Sequence, residues 1–217
     1  MTVRLARDNG AALVMVIMAL SLLTSLSVAL LLASSAEVMT AANFTAQRAA
    51  LYAADAILER GMIDVAAVAD WDALAAGSIV SSFTDGPAAG GRRLDDGTEI
   101  DVGTLVDAAA CHKRTPCTDA ELDAVTPDRP WGTKNPRWHL YAYGRLRDLL
   151  PEAAVGVPWY VALMVAAHPL GSDAIALRAE AFGPHHAHSV VELTAAHDDT
   201  DYNKGSTPRT LSWREVR

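Results

Sequence analysis

The sequence predicts an α+β protein: one long N-terminal α-helix, membrane-spanning in its first half and amphipathic in its second, packed on an antiparallel β-sheet head. Three observations predict it. Residues 9–36 carry no charge, no proline occurs before Pro87, and several stretches beyond residue 137 alternate apolar and polar side chains between turn signals.

The uncharged run A-A-L-V-M-V-I-M-A-L-S-L-L-T-S-L-S-V-A-L-L-L-A-S begins at Ala11. At ~1.5 Å per residue it reaches ~36 Å, against a bilayer core of about 30 Å. Arg4 and Arg7 precede it and Glu37 follows, so the positive-inside rule places the N-terminus in the cytoplasm and the head across the membrane. Ala33-Ser34-Ser35-Ala36 has the small residues of a signal-peptide cleavage site, but the apolar core is longer than such signals need. The chain does not break there either. Apolar or small positions recur at helical spacing through Val38, Ala42, Thr45, Ala49, Tyr52 and Ala56, so one helix is expected from about Ala11 to about Arg60, with Gly61 as its stop.

Residues 62–76 are alanine-rich and predict a short helix, and S-F-T-D-G-P-A-A-G-G-R-R-L-D-D-G-T predicts loops and turns. In R-W-H-L-Y-A-Y-G-R-L, alternation puts Trp138, Leu140 and Ala142 on one face and His139, Tyr141 and Tyr143 on the other. Val161, Leu163 and Val165 share a face in the next run. Residues 175–182 and 189–195 flank G-P-H-H as a hairpin, and 209–216 predicts the last strand.

Net charge of −8 argues against a nucleic-acid partner, which would meet a basic stripe. No nucleophile elbow, zinc-protease helix, P-loop or dinucleotide fingerprint is present, so the sequence names no catalytic residue, no cofactor and no enzyme activity. Cys111 and Cys117, with five residues between them, predict a local disulfide in an exported domain; free thiols and a metal site using His112 are the alternatives. His185, His186 and His188 sit at a Gly-Pro hairpin tip, where solvated imidazoles are the simpler reading than a metal site. Asp198, Asp199, Asp201 and Asn203 place oxygen ligands at near-alternating positions, with Asp199, Asp201 and Asn203 as calcium candidates. Gly205 is one position late for the calcium-loop turn and Thr210 stands where the bidentate Glu belongs, so an ordinary acidic loop is the reading preferred. T-P-D-R-P-W-G-T-K-N-P-R-W offers Trp131 and Trp138 to a partner, although Trp138 reads better as a buried residue.

The leader M-T-V-R-L-A-R-D-N-G, followed by A-A-L-V-M-V-I-M-A-L, is similar to the segment that prepilin peptidases cleave after glycine. Farther on, Ala41, Asn43, Ala49, Leu51, Ala53, Ala54, Asp55, Ala56 and Leu58 match an A-x-N-x-x-x-x-x-A-x-x-A-A-[ED]-A-x-L pattern. This segment resembles the N-terminal helix of the PilX family of minor pilins. A-L-R-A-E-A-F-G-P-H-H-A-H-S-V-V-E-L-T and L-S-W-R-E-V-R resemble the closing strands of PilX-like heads. The resemblance covers residues 1–62 well and 174–217 moderately. It implies a pilin-like fold, with a leader at 1–10, a membrane half at 11–36, an amphipathic half at 37–61 and a head at 62–217. It also implies processing between Gly10 and Ala11, and as partners a prepilin peptidase, the inner membrane, other minor pilins and a pilus-tip adhesin.

Most pilins carry a glutamate at the fifth mature position, which neutralises a neighbour's N-terminal amine. Here that position is Met15. PilX-type minor pilins and the K-type pseudopilin of type II secretion systems resemble this sequence in lacking it. The resemblance therefore implies an initiator at or near the filament tip, helping to start type IV pilus assembly through helix bundling. A K-type pseudopilin and a signal-anchored periplasmic domain remain as alternatives.

Overall fold

Helix α1 runs from Asn9 to Ala67 without interruption in the computed structural model, which describes residues 9–124, 135–149, 158–168, 173–197 and 208–216. The chain divides into two compact units with the boundary between Thr45 and Ala46, inside α1. In the first unit the apolar stretch is long enough, by length and composition, to cross a membrane, and side chains such as Leu13, Met15, Leu22 and Leu30 are exposed. Several of its hydroxyls bond within the helix: Thr24 donates to the Leu20 carbonyl at 2.9 Å and Ser27 to the Leu23 carbonyl at 2.8 Å. That back-bonding gives those donors a partner without water.

The remainder of α1 belongs to the second unit, and there the helix does not stop at Gly61, contrary to the sequence expectation. The reason is packing. A Cβ built on Gly61 would lie 2.3 Å from Leu163 Cδ2, so the missing side chain lets the helix come down on the sheet. Glycine costs about 1 kcal/mol of helix propensity, which close contact with a fully buried leucine offsets. The helix ends six residues later, where the Trp71 indole N–H donates to the Val65 carbonyl at 3.2 Å and satisfies one of the terminal acceptors. Asp70 then caps the short helix α2 (Trp71–Ala75), its Oδ1 accepting the Ala73 amide at 2.9 Å. The alanine-rich 62–76 segment is thus the end of one helix and the whole of a second.

Strands β3 (His139–Arg145), β4 (Tyr160–Ala167), β5 (Ala174–Phe182), β6 (His188–Ala196) and β7 (Arg209–Val216) form an antiparallel meander, each paired with the next. Val161, Leu163 and Val165 face α1, as the alternation predicts, together with Leu177, Ala179 and Val191. On the helix side Ala53, Ala54, Ile57, Leu58 and Val65 complete this core, with Trp71 and Leu74 from α2. Small residues at Ala50, Ala53, Ala54 and Gly61 keep the axis close to the strands.

The opposite face of the sheet is buried as well. Tyr160, Ala162, Met164 and Ala166 lie under a lobe made of β1 (Gly91–Arg93), β2 (Glu99–Asp101) and α3 (Leu105–Cys111), which contributes Leu94, Ile100, Val102, Leu105 and Ala109. Helix α4 (Asp119–Leu122) follows the lobe, and α5 (Leu146–Leu149) follows β3. Trp138 is buried in this second core just before β3 starts. The expected faces of β3 hold only up to Leu140. A bulge at Tyr141 moves the pairing from Leu140↔Met164 to Ala142↔Leu163. One extra residue inverts the alternation, so Ala142 joins the α1 core while Tyr143 joins Trp138 and Leu140 on the other side.

The outer edge of β3 is closed by the chain itself. Ser81 donates to the Tyr141 carbonyl at 2.9 Å, and Asp85 and Tyr143 exchange bonds with this segment at 3.0 Å each, Tyr143 donating to Phe83. Among the described residues no strand pairs with the outer edge of β7, which has a second bulge between the pairs Thr194↔Ser212 and Ala195↔Thr210.

The contact at Gly61 gives a direct test. Gly61→Val should lower the stability of the full chain in detergent micelles by about 1–3 kcal/mol through overpacking, read as a fall in the thermal midpoint by near-ultraviolet circular dichroism. An unchanged midpoint would mean that the helix and β4 do not meet at this distance.

Candidate functional site

Two places hold residues to which the sequence assigns a role, and a third joins His188 to residues it does not single out. The first is the start of α1. Gly10 and Ala11 both lie within the helix, and Met15 is 69% exposed among other apolar side chains. The segment from Ala11 to Ala36 offers a surface to lipid or to neighbouring helices, with no carboxylate in it.

The second is the loop after α3. Cys111 and Cys117 are joined in a disulfide, Cα to Cα 6.2 Å. His112, between them in sequence, takes a left-handed conformation (φ 56°) that ends α3. The Cys117 amide donates to Asp107 Oδ1 at 2.9 Å, folding the loop back on the helix. Thr118 and Glu121 form a reciprocal capping box for α4, and Lys113 pairs with Glu121. Those contacts, led by the Lys113 hydrogen bond and then the Thr118 amide, hold the Glu121 carboxyl down at about 2. With both sulfurs in the disulfide, a zinc-type site with His112 has no thiolate ligands. Among the described residues no three His, Cys, Asp or Glu groups converge as a metal site would need.

The third is a charged ladder on the lobe side of β5, β6 and β7. Arg178, Glu192 and Arg214 stand directly opposite one another in register. Arg178 Nη1 donates to Glu192 Oε1 at 2.8 Å and Arg178 Nε to Glu180 Oε1 at 2.7 Å, while Arg214 Nη2 reaches Glu192 Oε2 at 2.6 Å. The Arg178 and Glu180 side chains are only 10% and 6% exposed. Burial alone would lower the Arg178 pKa, but the charge of Glu180 and then Glu192 holds it above its ordinary value. Burial alone would raise Glu180; the His188 hydrogen bond and the Arg178 charge outweigh it and hold this carboxyl below the usual range.

His188 is therefore not merely a solvated tip residue. Its Nε2 lies 3.0 Å from Glu180 Oε2 and its ring stacks on Phe182 at 4.5 Å. His185 and His186 form the turn itself, Pro184–His186, and are not brought together as a ligand set. The calcium candidates Asp199, Asp201 and Asn203, together with Asp198 and Gly205, lie outside the described residues, as does Trp131. Sequence reasoning missed the ladder. Its signal was present: Arg178, Glu180 and Glu192 occupy the positions between the apolar ones, and the hairpin register sets Arg178 against Glu192.

No family model, curated protein or solved structure matches this chain.

Because the Glu180 pKa is depressed on folding from its ordinary value of 4.5, its contribution to stability is full above that value and is lost as pH falls through the folded pKa. Glu180→Gln leaves Arg178 buried with one partner fewer and should cost about 3 kcal/mol at pH 7. The gap between variant and parent should narrow as pH falls below 4.5. Urea denaturation at pH 7 and at acid pH checks both parts; a gap that does not depend on pH would refute the charge argument.

Proposed function

We propose that this chain is a minor pilin of the PilX type, which helps to initiate type IV pilus assembly at or near the filament tip. The observation that carries the reading is one continuous helix, uncharged from Asn9 to Ala36, whose C-terminal part is the central packing element of an antiparallel sheet. A simple tether requires only hydrophobic length. It does not require the same helix to continue unbroken into a core. The leader ending at Gly10, the Ala41–Leu58 pattern and the meander with its closing β7 support the same reading.

In this proposal the N-terminus is cytoplasmic, the head is periplasmic, and a prepilin peptidase cuts between Gly10 and Ala11. The mature helix then bundles with those of other minor pilins, and the head meets a tip adhesin. Met15 leaves the helix without the carboxylate that would pair with a neighbour's N-terminal amine. Such a subunit suits a site with few neighbours below it, which favours an initiator over a major subunit. The missing carboxylate also favours the K-type pseudopilin as second reading, although that family carries a larger inserted domain than residues 62–217 provide.

N-terminal sequencing of the chain expressed with and without a prepilin peptidase should give a mature terminus at Ala11 only with the enzyme, and Gly10→Phe should block it. A terminus near Ala36, or no processing, would leave only an anchored domain. A deletion strain should lose surface pili; normal pili with a secretion defect would move the assignment to the pseudopilin.

A further inference from the structure

A cleft of about 280 Å³ opens between the lobe and the end of the β5–β6 hairpin. We propose that it binds a pyranose sugar unit. This goes beyond the pilin reading and stands or falls separately from it.

The lining includes hydrogen-bonding groups of both kinds. Glu99 and Asp101 supply carboxylate acceptors and Arg114 and His186 supply nitrogen donors, while Glu180 and His188 are bonded to each other. The floor is apolar, made by Ile100, Leu105 and Phe182. Acceptors and donors around an apolar floor match a ring that has hydroxyls at its periphery and C–H groups on its faces. Simpler ligands fit worse. An inorganic anion would meet the carboxylates, and a metal ion has no set of three converging ligands among the described residues. A plain ammonium would use the carboxylates but leave Arg114, His186 and the floor without a counterpart.

The backbone beside the cleft is strained in the way that functional turns are. His185 and His186 are consecutive non-glycine residues with φ of 57° and 60°. Left-handed backbone costs an L-residue roughly 1–2 kcal/mol. The turn is held by the His185 amide donating to Asp96 Oδ2 at 3.1 Å and by the Gly183 amide donating to the Ala187 carbonyl at 2.8 Å. The strained turn places His186 and His188 together on the cleft wall. Glu180 is 4% exposed with one oxygen on Arg178 and the other on His188, so it holds His188 in place beside the cleft. Strain kept at a ligand wall is a hint of selection for a role other than stability.

The test is saturation-transfer NMR on the full chain in phosphocholine micelles, which avoid sugar-headed detergents. Glucose, galactose and N-acetylglucosamine serve as probes, with lysine and acetate as controls. Saturation should reach the ring C–H protons of at least one pyranose. Glu99→Gln and His186→Gly should each weaken that binding by about tenfold, the loss of one good charge-assisted hydrogen bond. His186→Gly also relieves the backbone, so its thermal midpoint should rise while binding falls, a pairing that a merely structural histidine would not give. No transfer to any pyranose, transfer in both variants equal to the parent's, or stronger transfer to lysine or acetate would each overturn the proposal.

Discussion

The structure depends on the close approach of the C-terminal part of α1 to β4, where Gly61 meets Leu163. At the usual helix-on-sheet spacing a leucine-rich helix face would fill the gap with its own side chains. Here Ala50, Ala53, Ala54 and Gly61 remove bulk from the helix, so the sheet side supplies it through Leu163, Val161, Val165 and Leu177. The arrangement fixes the rotation of the helix about its axis, because only the face that carries Ala50, Ala53, Ala54 and Gly61 beside Ile57, Leu58 and Val65 fits the sheet. It also fixes which strand residues point inward, and hence the register of the β3–β7 meander, since a slip of one residue would present the wrong face.

A sheet whose inner strands read Y-V-A-L-M-V-A cannot leave its second face to water. The β1–β2–α3 lobe covers it, and the disulfide ties the end of α3 to the loop that follows. The cover is centred on β4. On β5 and β6 the same face changes from Met164 and Ala162 to Arg178, Glu180 and Glu192, so the ladder marks where the apolar core gives way to solvent. A buried ion pair is a weak source of net stability but a strong penalty on mispairing. Arg178 set against any residue but Glu192 would lose a partner, so the ladder enforces the register that the apolar contacts favour.

Much of this was legible in the chain. The long helix, the shared face of Val161, Leu163 and Val165, the hairpin around Gly183-Pro184 and the last strand follow from period and turn residues alone, because each is a local pattern. The misses have one cause in common: they depend on contacts between distant segments. Gly61 reads as a helix stop unless Leu163 is known to sit above it. The bulge at Tyr141 is invisible to a rule of strict alternation. The lobe's role needs the second sheet face to be buried, which α+β patterning does not specify. Arg178 and Glu180 read as solvent-facing because nothing local shows that β6 sets Glu192 opposite or that His188 returns to Glu180.

The two parts of α1 differ in composition, and a membrane-spanning reading of the first accounts for it. On that reading uniform hydrophobicity matters there and periodicity does not, since lipid would surround a lone helix on every side. In the second, one face mixes alanine and glycine with Ile57, Leu58 and Val65 against the sheet while Tyr52, Glu59 and Arg60 remain outside. Under the pilin reading, Met15 belongs to the same logic. An acidic side chain in a membrane helix costs up to about 3 kcal/mol near the bilayer centre unless a partner neutralises it. A major subunit recovers that cost when it docks on a neighbour's amine. A subunit that must wait in the membrane before any filament exists has no such amine to meet, and methionine lets it wait at no electrostatic cost.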